Sequence, residues 1–180
     1  MRLPLRDAEI RSWQAGDLSS LVEHANNRNV SIHLRDRFPF PYTRKDGQGF
    51  IRTARMMQPE TLFAIAVNGA AVGGIGFYLQ KDVERVSAEI GYWLGERFWG
   101  RGIASQAIVA MTQYAFEHHE LTRLFALVAD GNPASGRVLE KAGYVLEGRL
   151  RRSSIKNGIV SDQLLYAFVL EDRLPPPAAA

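Results

Sequence analysis

Two glycines separated by one residue precede the strongest helical segment of the chain, in the run FWGRGIAS at residues 98–105. Glycine allows the backbone to turn tightly and to approach a ligand closely. The first turn of the following helix offers unpaired N–H groups and the positive end of the helix dipole. Together these features predict a cradle for a phosphate or a pyrophosphate, to which Arg101 could add a charge. An ordinary helix start is the alternative, whereas a dinucleotide fingerprint fails because it requires glycine at Ser105.

Glu89 places a carboxylate inside an apolar segment, 87–94, whose alternation predicts a β-strand. With a period of two, Glu89, Gly91 and Trp93 share one face of this strand, and Leu94 lies on the other. Burial of a carboxylate is costly unless the group is paired or solvated. Glu89 is therefore a candidate general base for proton removal, and a salt-bridged or edge-exposed structural glutamate is the alternative.

A third group of polar residues lies at 132–135, directly after a short apolar segment. Asn132 followed by Pro133 is typical of a helix N-cap and the first helical residue. Ser135 then lies on the first turn of that helix, where its hydroxyl either donates a proton to a ligand or faces solvent. Gly143 ends the same helix as an ordinary C-cap.

These candidate residues must be positioned by a mixed sheet with helices on its faces. The apolar periodicity predicts the order strand, two helices, three strands, helix, strand, helix and two strands, which is about seven strands and about four helices. Hairpin turns at Asn68-Gly69 and Asn157-Gly158 combine with strand–helix–strand crossovers, which indicates an α/β chain of the α+β type. The predicted segments are strands at 8–13, 62–67, 72–79, 87–94, 124–128, 145–155 and 160–170, and helices that begin at the N-cap Asp17, at the capping box of Thr43 and Asp46, after Gly102, and at Ala134.

The chain has 180 residues and a mass of 20.1 kDa, so we expect one domain over 1–172 and a disordered Pro/Ala tail at 173–180. It contains no cysteine, which excludes disulfides, cysteine-ligated zinc, iron–sulfur clusters and a cysteine nucleophile. The four histidines lack the spacing of metal ligands, so no metal site is expected.

A formal net charge of +3 and a pI near 9.4 are too slight an excess to indicate a nucleic-acid partner, and they suit loose attraction to anionic ligands. The longest apolar stretches fall short of a membrane span. Residues 1–7 lack the apolar core of a signal peptide, so we expect a cytoplasmic protein.

The run EIGYWL at 89–94, followed by FWGRGIA at 98–104, resembles the acetyl-CoA motif of the GNAT acetyltransferase superfamily. A second group, from Asn132 and Ser135 to EKAGY at 140–144, resembles a motif of the branch that acetylates N-terminal amines of ribosomal proteins. Both motifs occur in order and on the expected elements. The likeness covers about residues 5–172 through further matching positions, which are Trp13, Asp17, the run FPFPY at 38–42, Glu147, Gly148, Asn157, Gly158 and Asp162.

This resemblance implies the GNAT fold, with a mostly antiparallel sheet that is splayed in the middle, and direct transfer of an acetyl group from acetyl-CoA to a primary amine. It implies Glu89 as the base, acting through water, and Ser135 as the acid that protonates the leaving thiolate. The splay admits the pantetheine arm, with Gly91 marking a bulge whose N–H groups stabilise the oxyanion. The implied cofactor-binding residues are Trp93, Leu94, Gly100, Arg101, Gly102, Ile103, Ala104 and Asn132.

Two positions depart from the superfamily pattern. Trp99 stands where glutamine or arginine usually opens the first motif, and Leu139 stands where many members have a tyrosine as the acid. Because leucine cannot donate a proton, that role must fall to another group, for which the branch offers Ser135. Four aromatic residues are candidates for the wall of an amine pocket or, alternatively, for the core: Phe38, Phe40, Tyr42 and Trp93.

The favoured function is therefore an N-acetyltransferase for a protein N-terminal α-amine of the ribosomal-protein type. The alternatives are transfer to a small free amine, such as a polyamine, an amino acid or an antibiotic, and a non-catalytic CoA-binding module, which Leu139 keeps open. A nucleic-acid binder would show steep salt dependence. The expected partners are acetyl-CoA and the amine acceptor, with no metal, membrane or specific nucleic acid, and homodimer formation is left open.

Overall fold

The computed structural model of the protein describes residues 1–173, which form one eight-stranded sheet and five α-helices. The strand order is β1-β2-β3-β4-β5-β6-β8-β7, and all neighbours are antiparallel except β5 and β6. The strands are β1 (Arg2–Pro4), β2 (Glu9–Ser12), β3 (Leu62–Val67), β4 (Ala70–Leu79), β5 (Ser87–Leu94), β6 (Arg123–Ala129), β7 (Val145–Lys156) and β8 (Ile159–Val169). The helices are α1 (Leu18–Ala25), α2 (Arg28–Ser31), α3 (Arg44–Met56), α4 (Ile103–His118) and α5 (Pro133–Lys141).

Two hairpins turn at the predicted Asn-Gly pairs. Asn68 and Gly69 have φ values of 49° and 82°, and Asn157 and Gly158 have values of 51° and 78°. Positive φ at both central residues matches the right-handed twist of the flanking strands, and asparagine and glycine adopt it at little cost. The β3–β4 and β7–β8 connections are therefore determined locally by the sequence.

The sheet opens between its two parallel strands. β5 pairs with β6 only from Ser87–Arg123 to Glu89–Phe125, although β5 continues to Leu94. On its other side β5 stays in regular register with β4 through Gly91, so the bulge predicted at Gly91 is wrong. The predicted splay is confirmed, and it arises because β5 and β6 separate after three residue pairs.

Each face of the sheet carries its own apolar cluster. On the α4/α5 face, Met111 and Leu139 pack against strand residues such as Phe77 and Ile90. On the opposite α1/α3 face, Leu21 and other helical residues pack against Trp13, Leu62 and Ala64. Alternation along β5 places Trp93 on the α1/α3 face and Tyr92 on the α4/α5 face, as the period of two predicts.

The structure contains one strand and one helix more than the sequence pattern predicts. The additional strand, β1, covers three residues and pairs with β2 at the sheet edge. The additional helix, α2, is a single turn whose N-cap Asn27 accepts hydrogen bonds from the N–H groups of Asn29 and Val30. A four-residue helix shows no apolar periodicity, so the sequence pattern does not indicate α2.

Two further predictions about the termini of elements are resolved by the structure. Asp17 is the N-cap residue of α1 as predicted, but its side chain makes no capping hydrogen bond, because its carboxylate accepts from the N–H of Gln14 and pairs with Arg11. The predicted tail at 173–180 lies outside the described residues apart from Arg173, which ends a 3-10 helix. Within residues 1–173, no helix combines the length and the apolar character that a membrane crossing requires.

Candidate active site

A cavity of about 1360 Å³ runs through the opening between β5 and β6. On the α1/α3 face it is lined by Glu89, Trp93 and Phe50, and on the α4/α5 face by Tyr92 and Val138. Ligand sites in proteins usually measure roughly 300–1,000 Å³. This cavity therefore has room for two ligands that meet in the plane of the sheet.

The glycine cradle forms one end of the cavity. Gly100 and Gly102 have φ values of 75° and 76°, in the left-handed region that other residues adopt only under strain. Gly102 is the N-cap of α4 and supplies no side-chain hydrogen bond, so the first N–H groups of the helix have no intrahelical partner. Ile103 and Ala104 line the cavity at this point. The loop therefore presents main-chain donors and a helix dipole to an anion.

Arg101 is not among the residues that line this cavity. Its guanidinium lies over the ring of Phe98, 5.2 Å from the ring centre. The side-chain charge that the sequence interpretation assigned to the cradle is therefore directed to an aromatic neighbour in this structure, and the cradle itself is built from main chain.

Trp99 connects the cradle to the end of β5. Its indole N–H donates to the carbonyl oxygen of Leu94 at 2.7 Å. Trp93 and Leu94 line the cavity as predicted, but this carbonyl already has a partner. The unusual tryptophan thus holds the loop against the end of β5.

Glu89 is the last residue of β5 that pairs with β6, directly before these two strands separate. Its side chain is 21% exposed and accepts a hydrogen bond from the guanidinium of Arg35, which is 57% exposed. The carboxylate is therefore neither buried without a partner nor freely solvated. Of the two alternatives from the sequence, the structure places Glu89 both in an ion pair and in the wall of the cavity.

Aromatic side chains form the wall next to Glu89. The ring of Phe38 lies 4.9 Å from that of Tyr42 and 5.2 Å from that of Trp93, and all three residues line the cavity. Tyr42 is also a core residue, and its burial raises the pKa of its hydroxyl to about 12. Phe40 is half-exposed and is not part of the cavity wall.

Asn132 and Ser135 lie on the α4/α5 side of the opening. The Oδ1 atom of Asn132 accepts from the N–H of Ser135, which confirms the predicted N-cap with Pro133 at the first helical residue. The hydroxyl oxygens of Ser135 and Tyr92 are 2.5 Å apart, and burial raises the pKa of Tyr92 to about 12. Tyr92 therefore stays protonated near neutral pH and can donate to Ser135.

Leu139 is fully buried in the cluster on the α4/α5 face, so the acid expected there in many members is replaced by a core residue.

Two residues of the site, Tyr92 and Arg35, are not among the candidates that the sequence indicates. The alternation along β5 predicts that Tyr92 faces away from Glu89. It does not predict the contact of Tyr92 with Ser135, which is 43 residues away in the chain. Arg35 reaches Glu89 across 54 residues, and no local spacing signals such a contact.

Comparisons with known proteins agree with this architecture. Residues 8–145 match the model of the acetyltransferase (GNAT) domain family. The chain is 32% identical over 131 residues to the ribosomal-protein-serine acetyltransferase of Escherichia coli, a match that covers 73% of this chain and 72% of that protein. It is 36% identical over 102 residues to YdaF of Bacillus subtilis, where the match covers 57% of this chain and 55% of that protein.

Solved structures share the fold. The ribosomal L7/L12 α-N-protein acetyltransferase RimL, in complex with coenzyme A, superposes with a TM-score of 0.84 at 21% identity over 96% of this chain and 99% of that chain. The microcin C7 self-immunity acetyltransferase MccE, in complex with acetyl-CoA and AMP, gives a TM-score of 0.81 at 24% identity over 92% and 94% of the two chains. With the family match over residues 8–145, the sheet opening and the glycine cradle, the chain belongs to the GNAT acetyltransferase family.

Proposed function

We propose that this chain transfers an acetyl group from acetyl-CoA to a primary amine, and that its favoured acceptor is the α-amine of a protein N-terminus. The observation that carries the proposal is the separation of β5 and β6 after Glu89. This opening joins the glycine cradle to the carboxylate through one continuous cavity. A donor bound from one side and an amine bound from the other meet there without a covalent enzyme intermediate.

The cradle fits the pyrophosphate of acetyl-CoA. Main-chain N–H groups at Gly102, Ile103 and Ala104 offer donors, and Gly102 has no side chain that could obstruct them. With Oδ1 bonded to Ser135, the amide Nδ2 of Asn132 supplies donors for the pantetheine carbonyls. When bound, acetyl-CoA supplies an acetyl group activated as a thioester. The net charge of +3 favours its anionic phosphates.

Glu89 takes the proton that the acceptor ammonium must lose before its nitrogen can attack. Its position at the edge of the opening allows the transfer to occur directly or through one water. After Glu89, the edge of β5 that faces β6 makes no strand-to-strand hydrogen bonds with β6. Main-chain N–H groups along this edge can therefore stabilise the developing oxyanion.

Ser135 provides the proton for the departing thiolate in this proposal. Its hydroxyl gives its proton to the sulfur and regains one from solvent water, while the Tyr92 hydroxyl, 2.5 Å away, donates a hydrogen bond to the serine oxygen. Because the pKa of Tyr92 is raised to about 12, this donor is present throughout the neutral range. Tyr92 acts through Ser135 and is therefore a positioning residue.

The choice of an N-terminal α-amine rests on similarity to the Escherichia coli ribosomal-protein-serine acetyltransferase, together with the open cavity. Three acceptor types separate the alternatives: peptides with a free N-terminus, the same peptides with a blocked N-terminus and one lysine, and small free amines. The chain contains no cysteine, so every thiol that appears during the reaction is released coenzyme A. Release can therefore be followed with a thiol reagent and the acetylated product by mass spectrometry.

We expect fast release with free N-termini, slow release with blocked peptides and intermediate release with small amines. Glu117→Gln is the matched control for the loss of the Glu89 carboxylate. It changes an exposed carboxylate on α4 that bonds to Gln113 outside the cavity, and it should retain wild-type rates. Preference for small amines would support that alternative. Acetyl-CoA binding without transfer to any amine would overturn the proposed activity and leave a CoA-binding module.

A further inference from the structure

The ion pair between Arg35 and Glu89 blocks the carboxylate from an incoming ammonium group. Arg35 comes from the loop after α2, and its guanidinium is more than half exposed at the mouth of the cavity. An acceptor amine must take the place of this guanidinium beside Glu89 before a proton can be removed. The acceptor ammonium therefore competes with Arg35 for contact with the Glu89 carboxylate, the proposed base.

The charged side chains that line the cavity, Arg35 among them, are mostly positive. Four side chains with a permanent charge line it, and His33 adds a group whose pKa burial lowers. The second carboxylate in the lining, Asp46, is already bonded to the hydroxyl and N–H of Thr43. The permanent cations are Arg35, Arg37, Lys45 and Arg52.

A simple cationic amine fits poorly with these surroundings. It would be repelled by the four cations, and it would displace the Arg35 guanidinium from Glu89 without offering it another anion. An acceptor that also carries an anion removes both costs. Its ammonium replaces Arg35 at Glu89, while its anion gives Arg35 a new partner.

We propose that the acceptor carries a carboxylate beside its amine, and that Arg35 exchanges Glu89 for this carboxylate when the acceptor binds. The inference rests on the proposed acetyl transfer and specifies its substrate class. Arg37, whose guanidinium lies 4.5 Å from the centre of the Tyr78 ring, stands two residues further along the same loop as a second cation. In a protein N-terminus the carboxylate comes from an acidic second residue, and in a free amino acid it comes from the α-carboxyl group.

The test compares acceptors of matched shape that do or do not carry a carboxylate. The peptides Ser-Asp-Ala-Ala-Gly and Ser-Asn-Ala-Ala-Gly have the same shape, and free serine with serine amide forms the corresponding small pair. Each is assayed with the wild-type chain, with Arg35→Gln and with Arg2→Gln. Arg2, on β1, is a matched control because its exposed side chain pairs with Glu9 on β2 and does not line the cavity.

We expect wild type to acetylate the Asp peptide with a kcat/KM at least about tenfold higher than the Asn peptide, mainly through KM, because charge-assisted hydrogen bonds to arginine are strong. Arg35→Gln should reduce the ratio to less than about twofold by losing rate on the Asp peptide. Arg2→Gln should keep the wild-type ratio. A larger ratio for serine over serine amide than for the peptides would assign the carboxylate to a free amino acid.

Equal kcat/KM values for the charged and uncharged partners of both pairs would overturn the inference while leaving the acetyl transfer standing. The same holds if Arg35→Gln keeps the full preference. Retained acetyl-CoA affinity shows that Arg35→Gln is folded, because the cradle lies on α4 and not on the loop of Arg35. Transfer to none of the acceptors would instead remove the proposed function, and this inference with it.

Discussion

Two arginine–carboxylate pairs show how similar chemistry serves different purposes in this molecule. Arg11 and Asp17 have side chains that are 8% and 6% exposed, and their two hydrogen bonds measure 2.8 and 2.7 Å. Arg11 also donates to the carbonyl oxygen of Gly69, and Asp17 accepts from the N–H of Gln14. Every polar group of this interior pair has a partner, so nothing in it can be exchanged.

Arg35 and Glu89 form the opposite case. They share one hydrogen bond, their side chains are 57% and 21% exposed, and they lie in the wall of a cavity. Water can replace either partner, so breaking this cavity pair costs little. The comparison teaches that the number of additional partners, more than the charges themselves, separates an ion pair that holds the fold from one that can take part in binding.

The largest expected effect is on stability and concerns the interior pair. Asp17→Asn keeps the shape of the side chain but removes the carboxylate that accepts two hydrogen bonds from the buried Arg11 guanidinium, which then keeps only Glu9, 3.8 Å away, as a counter-charge; this should lower the free energy of unfolding by about 3 kcal/mol. The matched change in the cavity pair, Glu89→Gln, should alter the free energy of unfolding by less than about 0.5 kcal/mol. Urea denaturation measures both. Equal losses would show that the two pairs do not differ as described.

A second comparison uses two glycines with nearly the same backbone strain. Gly69 accepts a hydrogen bond from Arg11 beside the interior pair and has a φ of 82°, whereas Gly102 in the cradle has a φ of 76°. Gly102→Val should raise the dissociation constant of acetyl-CoA at least about 100-fold, or about 2.7 kcal/mol, because the cradle cannot keep its shape.

Gly69→Val is the control for this change, since valine is equally strained there but far from the cavity lining. It should reduce stability and leave the acetyl-CoA affinity unchanged by calorimetry. Unchanged affinity in Gly102→Val would mean that the phosphates bind elsewhere.

Two tyrosine hydroxyls extend the same comparison with a smaller effect. Tyr92 contacts Ser135 in the cavity, whereas Tyr144 contacts Thr112 at 2.8 Å in the interior. Tyr92→Phe should lower kcat about tenfold, or about 1.4 kcal/mol, because Ser135 loses its hydrogen-bond donor. Tyr144→Phe should instead cost about 1–2 kcal/mol of stability and keep kcat. Unchanged kcat in Tyr92→Phe would show that the hydrogen bond from Tyr92 does not assist Ser135.

The smallest expected effect is a loss of stability at high pH. Burial raises the pKa of Tyr92 to about 12, above the usual value near 10. The unfolded chain therefore loses this proton first as the pH rises, and the stability contribution that is complete below pH 10 is lost on the way to pH 12. At pH 11 wild type should have lost about 1 kcal/mol more than Tyr92→Phe, each relative to neutral pH. Denaturation at pH 7 and pH 11 measures the difference, and equal losses would contradict it.

Much of the fold follows from local sequence signals. The Asn68-Gly69 turn, the capping box of Thr43 with Asp46, and the N-cap Asn132 all form as predicted, because each depends on residues within four positions of one another. β1 and α2 were missed for the same reason. A three-residue strand and a one-turn helix are too short for periodicity, and they form only against their neighbours.

In the candidate site, too, features that depend on neighbouring residues are predictable and contacts between distant residues are not. The cradle and Glu89 could be located from glycine spacing and from a carboxylate in an apolar strand. The contacts of Arg35 with Glu89 and of Tyr92 with Ser135 could not be predicted, because each joins residues that are distant in the chain. Arg101 was assigned to the cradle by its position between two glycines, but a neighbouring ring, Phe98, takes its guanidinium instead.

The most direct test of the central claim measures acetyl-CoA affinity and the single-turnover rate of acetyl transfer on the same preparation of Glu89→Gln. The account predicts an unchanged dissociation constant and a rate lower by about 10²- to 10³-fold near neutral pH, because the cradle is intact and the base is lost. Raising the pH should recover part of the rate, since the acceptor then arrives already deprotonated. A wild-type rate at neutral pH would contradict the role of Glu89 and the account built on the opening beside it.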